Sequence, residues 1–109
     1  MPRRKLTKVK VPKAVQRNAQ KGLDLRREYG RGGTDVGRAM ARLIATSDYL
    51  PHTKVKKISQ YFPRHAGDRL DLDGKKGKKI SNGYIAWLLW GGDAGWDWSA
   101  QIANKIEDE

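Results

Sequence analysis

Three arginines are the residues whose type and spacing carry the clearest chemistry. Arg38 and Arg42 lie four residues apart, and Arg31 lies in the glycine-rich stretch GRGGT that precedes them. Residues four apart share one face of a helix, so the two guanidinium groups are expected to project together. A planar guanidinium donates paired hydrogen bonds to a phosphate, and the three arginines therefore form a candidate phosphate clamp. An ordinary solvated helix face has the same pattern, and both interpretations stay open.

Other basic residues are spread over the N-terminal segment, the middle of the chain and a Lys-rich loop. Together they predict many phosphate contacts, for which affinity falls steeply as salt is added. Gln60 joins the set because glutamine can read adenine in the major groove. The residues predicted to bind nucleic acid are Arg3, Arg4, Lys5, Lys8, Lys10, Arg31, Arg38, Arg42, Lys54, Lys57, Gln60, Lys75, Lys76, Lys78 and Lys79.

The charge of the chain is divided unevenly along its length. Residues 1–79 hold 22 of the 23 Lys and Arg residues and 7 of the 12 acids, a net charge of +15. Residues 80–109 hold one lysine and five acids, a net charge of −4. Such a split favours a part that faces a polyanion, with nucleic acid the obvious one, and a part that packs or meets a partner.

Catalytic and metal-binding patterns are missing from the sequence. The chain has no cysteine and only two histidines, His52 and His65, which could supply at most part of a metal site. No nucleophile elbow, phosphate-binding Gly-Lys-Ser motif or metal-ligand spacing is present. We therefore expect a protein without enzymatic activity, cofactor or metal. No apolar run is long enough to span a membrane, so no membrane contact is expected.

Helical periodicity accounts for most of the chain beyond residue 12. Predicted caps are Thr34, Ser81 and Asp93 at helix starts, with Gly30 closing the first helix. Pro12 and Pro51 suit the first turns of their helices, and Pro63 is expected to stop the third. Val36, Met40, Leu43 and Ile44 are expected to form the buried face of the second helix. The predicted helices are 13–29, 35–46, 51–62, 82–90 and 94–106.

These elements predict an all-α fold: a compact single-domain bundle of about five short helices over residues 12–109. Residues 1–11 are predicted to be a flexible basic arm, and no strand is expected, because no alternating apolar stretch is long enough. Helices 35–46 and 51–62 have the lengths of a helix-turn-helix, in which the second helix would present Lys54, Lys57 and Gln60 to bases. Any two short helices give this pattern, so contact with phosphates alone remains the alternative.

Three stretches of the sequence, taken together, carry a resemblance to a known group of proteins. They are GLDLRREYGRGGTDVGRAMAR at 22–42, ISQYFPRH at 58–65 and GYIAWLLWGGDAGWDWSAQI at 83–102. Together they resemble a family of small helical domains encoded by bacteriophages and prophages, most of which have no assigned function. The resemblance implies a phage setting, with the protein in the host cytoplasm or the virion interior, and it favours DNA over RNA. It implies no catalytic residues.

All four tryptophans lie between residues 84 and 98, in the acidic part of the chain. Base stacking requires exposed rings in positive surroundings, so Trp87 and Trp90 are better interpreted as core, and Trp98 remains a candidate for stacking. The expected function is that of a phage-encoded accessory protein that binds DNA through phosphates. The alternative is a virion-associated structural or assembly protein that contacts another phage protein through its acidic C-terminal face.

Overall fold

The computed structural model describes residues 8–65 and 81–108, and this part of the chain is mostly helical. Within it lie five helices and two short strands, which confirms the predicted all-α bundle in its main outline. In chain order the elements are β1 (Lys8–Lys10), α1 (Lys13–Tyr29), α2 (Asp35–Thr46), β2 (Tyr49–Pro51), α3 (His52–Arg64), α4 (Asn82–Leu89) and α5 (Gly92–Asp108).

Local signals set most of the helix ends. The Thr34 side chain accepts a hydrogen bond from the Gly37 N–H at 3.1 Å, and Ser81 accepts one from the Tyr84 N–H at 3.0 Å. Both caps satisfy a backbone donor that the first helical turn leaves unpaired. Gly30 closes α1 in the left-handed region with φ 66°, a conformation that glycine adopts without steric cost. These predicted caps are confirmed.

Helix α4 lies at the centre of the fold and packs against α1, α2 and α5. Its side chains Ile85, Trp87, Leu88 and Leu89 are all buried. A helix that is apolar on every side can satisfy its side chains only by being surrounded, so its position follows from its composition. The prediction that this segment forms the centre of the fold is confirmed.

An aromatic cluster holds α3, α4 and α5 together. The ring of Phe62 meets Trp87 edge-on, with centroids 4.8 Å apart, and stacks on Trp96 at 5.8 Å. Trp87 and Trp96 also meet edge-on at 5.6 Å. Such offset and edge-to-face pairs stabilise beyond the area they bury. The three helices therefore share one apolar centre, in which Trp87 is only 2% exposed.

The expectation that the chain has no strand, and that residues 1–11 form a flexible arm, is wrong for residues 8–11. Strands β1 and β2 pair antiparallel with Val9 opposite Leu50, and both side chains enter the core. Val11 is buried as well, and its N–H donates to the Asp48 carbonyl at 2.8 Å. A three-residue strand has a single inward side chain, too little alternation for the sequence to reveal. Residues 1–7 lie outside the described part.

Two details of the predicted helices also differ. Val36 is 60% exposed, because the buried stripe of α2 follows Gly37, Met40, Ala41 and Ile44 instead. Pro63 lies inside α3, which ends one residue later at Arg64. Proline fixes φ near about −65°, a helical value, so in the last turn it removes one backbone hydrogen bond without ending the helix. Pro12 and Pro51 precede their helices as N-cap residues instead of lying in the first turn.

Asp93 does not cap α5 as predicted. The helix begins at Gly92, which places Asp93 in its first turn. There a carboxylate oxygen of Asp93 accepts a hydrogen bond from the indole N–H of Trp87 at 2.9 Å. A buried indole N–H needs such an acceptor, and Asp93 supplies it for Trp87. The same carboxylate also interacts favourably with the positive end of the helix dipole.

Helices α1 and α4 approach each other closely at Gly22. A methyl group placed on Gly22 would lie 2.7 Å from the backbone nitrogen of Leu89 and 3.0 Å from the carbonyl carbon of Leu88. Backbone atoms cannot rotate away as a flexible side chain can. The absence of a side chain at Gly22 is therefore what allows the two helices to be in contact here.

We expect Gly22→Ala to lower the free energy of unfolding by at least about 1 kcal/mol, because overpacking outweighs the gain in helix propensity. Chemical denaturation measures the change. Gly30→Asn is the matched control, since Gly30 has open space around it and asparagine tolerates the left-handed conformation. A Gly22→Ala protein as stable as the parent would contradict the close approach.

Asp93→Ala is expected to cost about 1–3 kcal/mol of unfolding free energy, since it leaves the buried Trp87 N–H without this acceptor. Asp93→Asn keeps a carbonyl acceptor and should lose less. Asp97→Ala removes the same charge from an exposed position one turn later, and should cost under about 0.5 kcal/mol. Equal losses for Asp93→Ala and Asp97→Ala in thermal or chemical unfolding would show that charge, and not the indole contact, is responsible.

Candidate functional site

A groove with four arginines along it runs between α1 and α2. Its volume is about 450 Å³, and it is open to solvent along its length. We call it the arginine groove; its lining residues are Gln20, Leu23, Arg26, Arg27, Arg38, Arg42 and Thr46.

The groove exists because α1 and α2 form an antiparallel helical hairpin. At one end the Arg26 guanidinium lies 3.6 Å from the Asp35 carboxylate. At the other end the Gln16 side-chain amide donates to the Ser47 carbonyl at 2.9 Å. The first contact joins the end of α1 to the start of α2, and the second joins the start of α1 to the end of α2. Together they show that the two helices run antiparallel.

The turn at residues 30–34 is held against α4, which positions both helices of the hairpin. Gly32 and Gly33 have φ values of 106° and 74°, which residues other than glycine rarely adopt. A methyl group on Gly32 would lie 2.6 Å from the Ile85 side chain, and one on Gly33 would lie 2.7 Å from the Leu89 side chain. The glycine-rich stretch is therefore a packed turn against the central helix.

The arginines that α1 contributes to the groove are partly neutralised. Arg26 donates from Nε to the Gly32 carbonyl at 3.0 Å and lies beside Asp35. Arg27 lies 3.7 Å from Asp24. Both carboxylates are exposed, so these ion pairs are weak and a stronger anion can replace them. Arg26 is the more firmly positioned of the two, because its backbone contact does not depend on charge.

The arginines from α2 carry the unneutralised charge of the groove. Within the described residues, neither the Arg38 nor the Arg42 guanidinium has an ion-pair partner, and both side chains are exposed. With Thr46 they follow a spacing of four residues along one face of α2. Among the described residues, four guanidinium groups against two carboxylates give the groove a net charge of +2, and the unpaired donors of Arg38 and Arg42 suit an anionic ligand.

The predicted clamp of three arginines is only partly assembled. Arg38 and Arg42 share the groove as expected, whereas Arg31 does not line it and contacts the start of α4 instead. There its guanidinium donates to the side-chain oxygen of Asn82 and lies over the Tyr29 ring at 5.3 Å. Arg26 and Arg27 are not among the residues predicted from the sequence; their position in the last turn of α1, directly before a tight turn into α2, was the signal available.

Of the remaining predicted residues, those in the described part of the chain do not line the groove. Lys8 and Lys10 lie on the exposed face of β1, where the Lys10 ammonium sits 5.5 Å from the centre of the Tyr49 ring. Lys54, Lys57 and Gln60 are exposed on α3. The other predicted residues lie outside the described part of the chain: Arg3, Arg4, Lys5, Lys75, Lys76, Lys78 and Lys79.

Helices α2 and α3 do not form the expected helix-turn-helix. Strand β2 separates them, and they pack mainly on different partners: α2 on α1 and α4, and α3 on α5. A helix-turn-helix needs its two helices packed together so that the first can position the second on DNA. The lysines of α3 are therefore separate surface charges and not the reading face of such a unit.

The tryptophans are placed mainly as expected. Trp87 and Trp90 are buried, which agrees with their prediction as core residues. Trp98 is half-buried and packs against the core. In the described part of the chain, no helix is both long enough and apolar enough to cross a membrane.

Comparison with known protein families, with curated proteins and with solved structures finds no match to this chain. The resemblance to phage-encoded domains therefore stays a prediction. The chemistry of the arginine groove follows from its own lining. Guanidinium groups stay protonated at neutral pH and cannot act as bases, so the groove is suited to holding an anion in place.

Proposed function

We propose that this protein binds DNA through its phosphate backbone, with the arginine groove as the principal contact. The observation that carries the proposal is the convergence of Arg26, Arg27, Arg38 and Arg42 from two helices on one open groove. Guanidinium forks match phosphate oxygens in geometry as well as in charge, and successive arginines along a groove suit a repeating polyanion.

Charge outside the groove supports the same partner. Lys8 and Lys10 on β1, and Lys54 and Lys57 on α3, are all exposed and add to the positive field around the molecule. Such a field attracts a polyanion over longer distances than any single contact and speeds the first encounter. The role of an accessory protein of a bacteriophage is part of the proposal, and it rests on the resemblance of residues 22–42, 58–65 and 83–102.

A contact with another protein through α5 is the second candidate function. Asp93, Trp96, Asp97 and Ala100 line an open groove of about 370 Å³ on the outer side of this helix. An aromatic ring between two carboxylates suits a basic protein segment, as expected for a virion or assembly component. A protein that has no affinity for DNA at low salt, yet enters assembled particles, would favour this candidate over the first.

We expect Arg38→Ala/Arg42→Ala to weaken binding to duplex DNA and to flatten its salt dependence. The log–log slope of affinity against salt should become shallower by roughly 2, because each lost phosphate contact removes about 0.9. Fluorescence anisotropy at several salt concentrations measures both quantities. Arg17→Ala/Lys21→Ala removes the same charge from exposed positions of α1 outside the groove and should have a much smaller effect. Equal effects of the two double variants would argue against the groove.

Asp24→Asn and Asp35→Asn should act in the opposite direction. Each removes a carboxylate that competes with phosphate for Arg27 or Arg26, so we expect tighter DNA binding, most clearly at low salt. The same anisotropy titration measures the gain. Asp97→Asn, which removes one acid from α5, controls for the change in net charge. If Asp97→Asn tightens binding as much as the two groove variants do, the overall field and not the groove accounts for affinity.

A further inference from the structure

A second pocket is lined in part by the 30–34 turn, and it shares no described lining residue with the arginine groove. Its volume is about 500 Å³. We call it the aromatic pocket; its lining residues are Gly33, Thr34, Tyr61, His65, Asn82, Gly83, Ala86 and Trp90. No part of the proposed phosphate contact uses it.

Three rings of the pocket form a continuous stack. Tyr61 is parallel to His65 within 14°, with centroids 4.3 Å apart, and parallel to Trp90 within 7°, with centroids 4.7 Å apart. Two parallel rings cannot share one face of Tyr61 at these distances without overlapping, so His65 and Trp90 lie on opposite faces. Trp90 is buried and His65 is exposed. The stack therefore runs from the core to the surface and ends on His65.

The imidazole of His65 is held in a fixed orientation. Its Nδ1 lies 2.9 Å from the Tyr61 carbonyl oxygen, and because a carbonyl can only accept, Nδ1 carries the hydrogen. Among the described residues, one face of the ring is covered by Tyr61 and the outer face carries no ring contact, so the outer face and the Nε2 edge can take a ligand. A ring already fixed by a stack and a hydrogen bond loses little further freedom when another planar group is added.

Polar groups around the stack suit a flat heterocycle that forms hydrogen bonds. The Asn82 amide accepts from Arg31 through its oxygen, and its NH2 group has no acceptor among the described residues. Thr34 contributes a hydroxyl, and Gly33 and Gly83 leave room because they have no side chains. Ring edges, an amide donor and a hydroxyl are the groups with which proteins hold a nucleobase that has left its stack.

The pocket and the groove are linked through the turn itself. Arg26 of the groove donates to the Gly32 carbonyl, and the next residue, Gly33, lines the pocket. Arg31 lies in the same turn and is bonded to Asn82 of the pocket, so its positive charge lies beside the pocket. A strand whose phosphates follow the groove can therefore bring one of its bases to the pocket.

We propose that the aromatic pocket holds one unstacked base of a single-stranded nucleic acid, stacked on the outer face of His65. This inference rests on the proposed function, because the phosphates of the same strand occupy the arginine groove. A duplex keeps its bases paired and stacked inside and cannot deliver one to the pocket without opening. The protein therefore favours a single strand over a duplex at equal phosphate number.

The test compares His65→Ala with His65→Phe on three probes: an oligothymidine strand of about 12 nucleotides, the same length of strand with abasic sites, and a matched duplex. We expect His65→Ala to weaken binding to the oligothymidine strand roughly 5- to 100-fold, the range of one lost stacking contact. His65→Phe keeps a ring and should retain most of the affinity. Neither substitution should alter binding to the abasic strand or to the duplex.

Thr53→Ala, an exposed change in the first turn of α3, is the control, and thermal unfolding checks that each variant is folded. Unchanged affinity of His65→Ala for the oligothymidine strand, or an equal loss on all three probes, would overturn the proposal. An equal loss for the Phe and Ala variants would overturn it as well. In each of these cases the dependence on Arg38 and Arg42 still supports DNA binding. An absence of binding to every probe would instead remove the proposed function, and this inference with it.

Discussion

The contact between α1 and α4 at Gly22 is the constraint on which the rest of the structure depends. Helix α4 is apolar on all sides and must be enclosed, yet it is only eight residues long. Enclosing so short a helix requires its neighbours to come very close, and at Gly22 the two backbones meet with no side chain between them. Once α1 is set on α4, the turn after it reaches Ile85 and Leu89, and α2 is directed back along α1.

The arginine groove is thus a consequence of how the core is closed. Gly32 and Gly33 fit against α4 only because they lack side chains, and the turn they form places the last residues of α1 beside the first of α2. Gly33 and Thr34 of the same turn line the aromatic pocket. Packing in the interior therefore determines the geometry of two surface sites, and a change of side chain at Ile85 in the core would alter the shape of both.

Much of the fold follows from local signals that a sequence displays directly. Helix bounds, the caps at Thr34 and Ser81, and the central position of α4 are readable because each depends on neighbours in the chain. The pairing of Val9 with Leu50 depends on residues far apart in sequence, and one inward side chain per strand leaves no periodicity to detect. Arg38 and Arg42 share a helix face and could be predicted together. Arg26 and Arg27 come from another helix, so they can be assigned to the groove only when the α1–α2 hairpin is known. The function of the groove stays a prediction.

The exposed carboxylates beside Arg26 and Arg27 give the groove a property of its own. Two of its four described arginines already have a counter-charge, so an anion that binds at Arg26 or Arg27 must displace a carboxylate as well as water. Binding becomes an exchange between two ion pairs, whose free energy is a difference between similar quantities. A single weak anion gains little from that exchange, whereas closely spaced phosphates gain at several cations together. Under the proposed function, the groove therefore selects for charge density, and a bound strand leaves in steps as each carboxylate returns to its arginine.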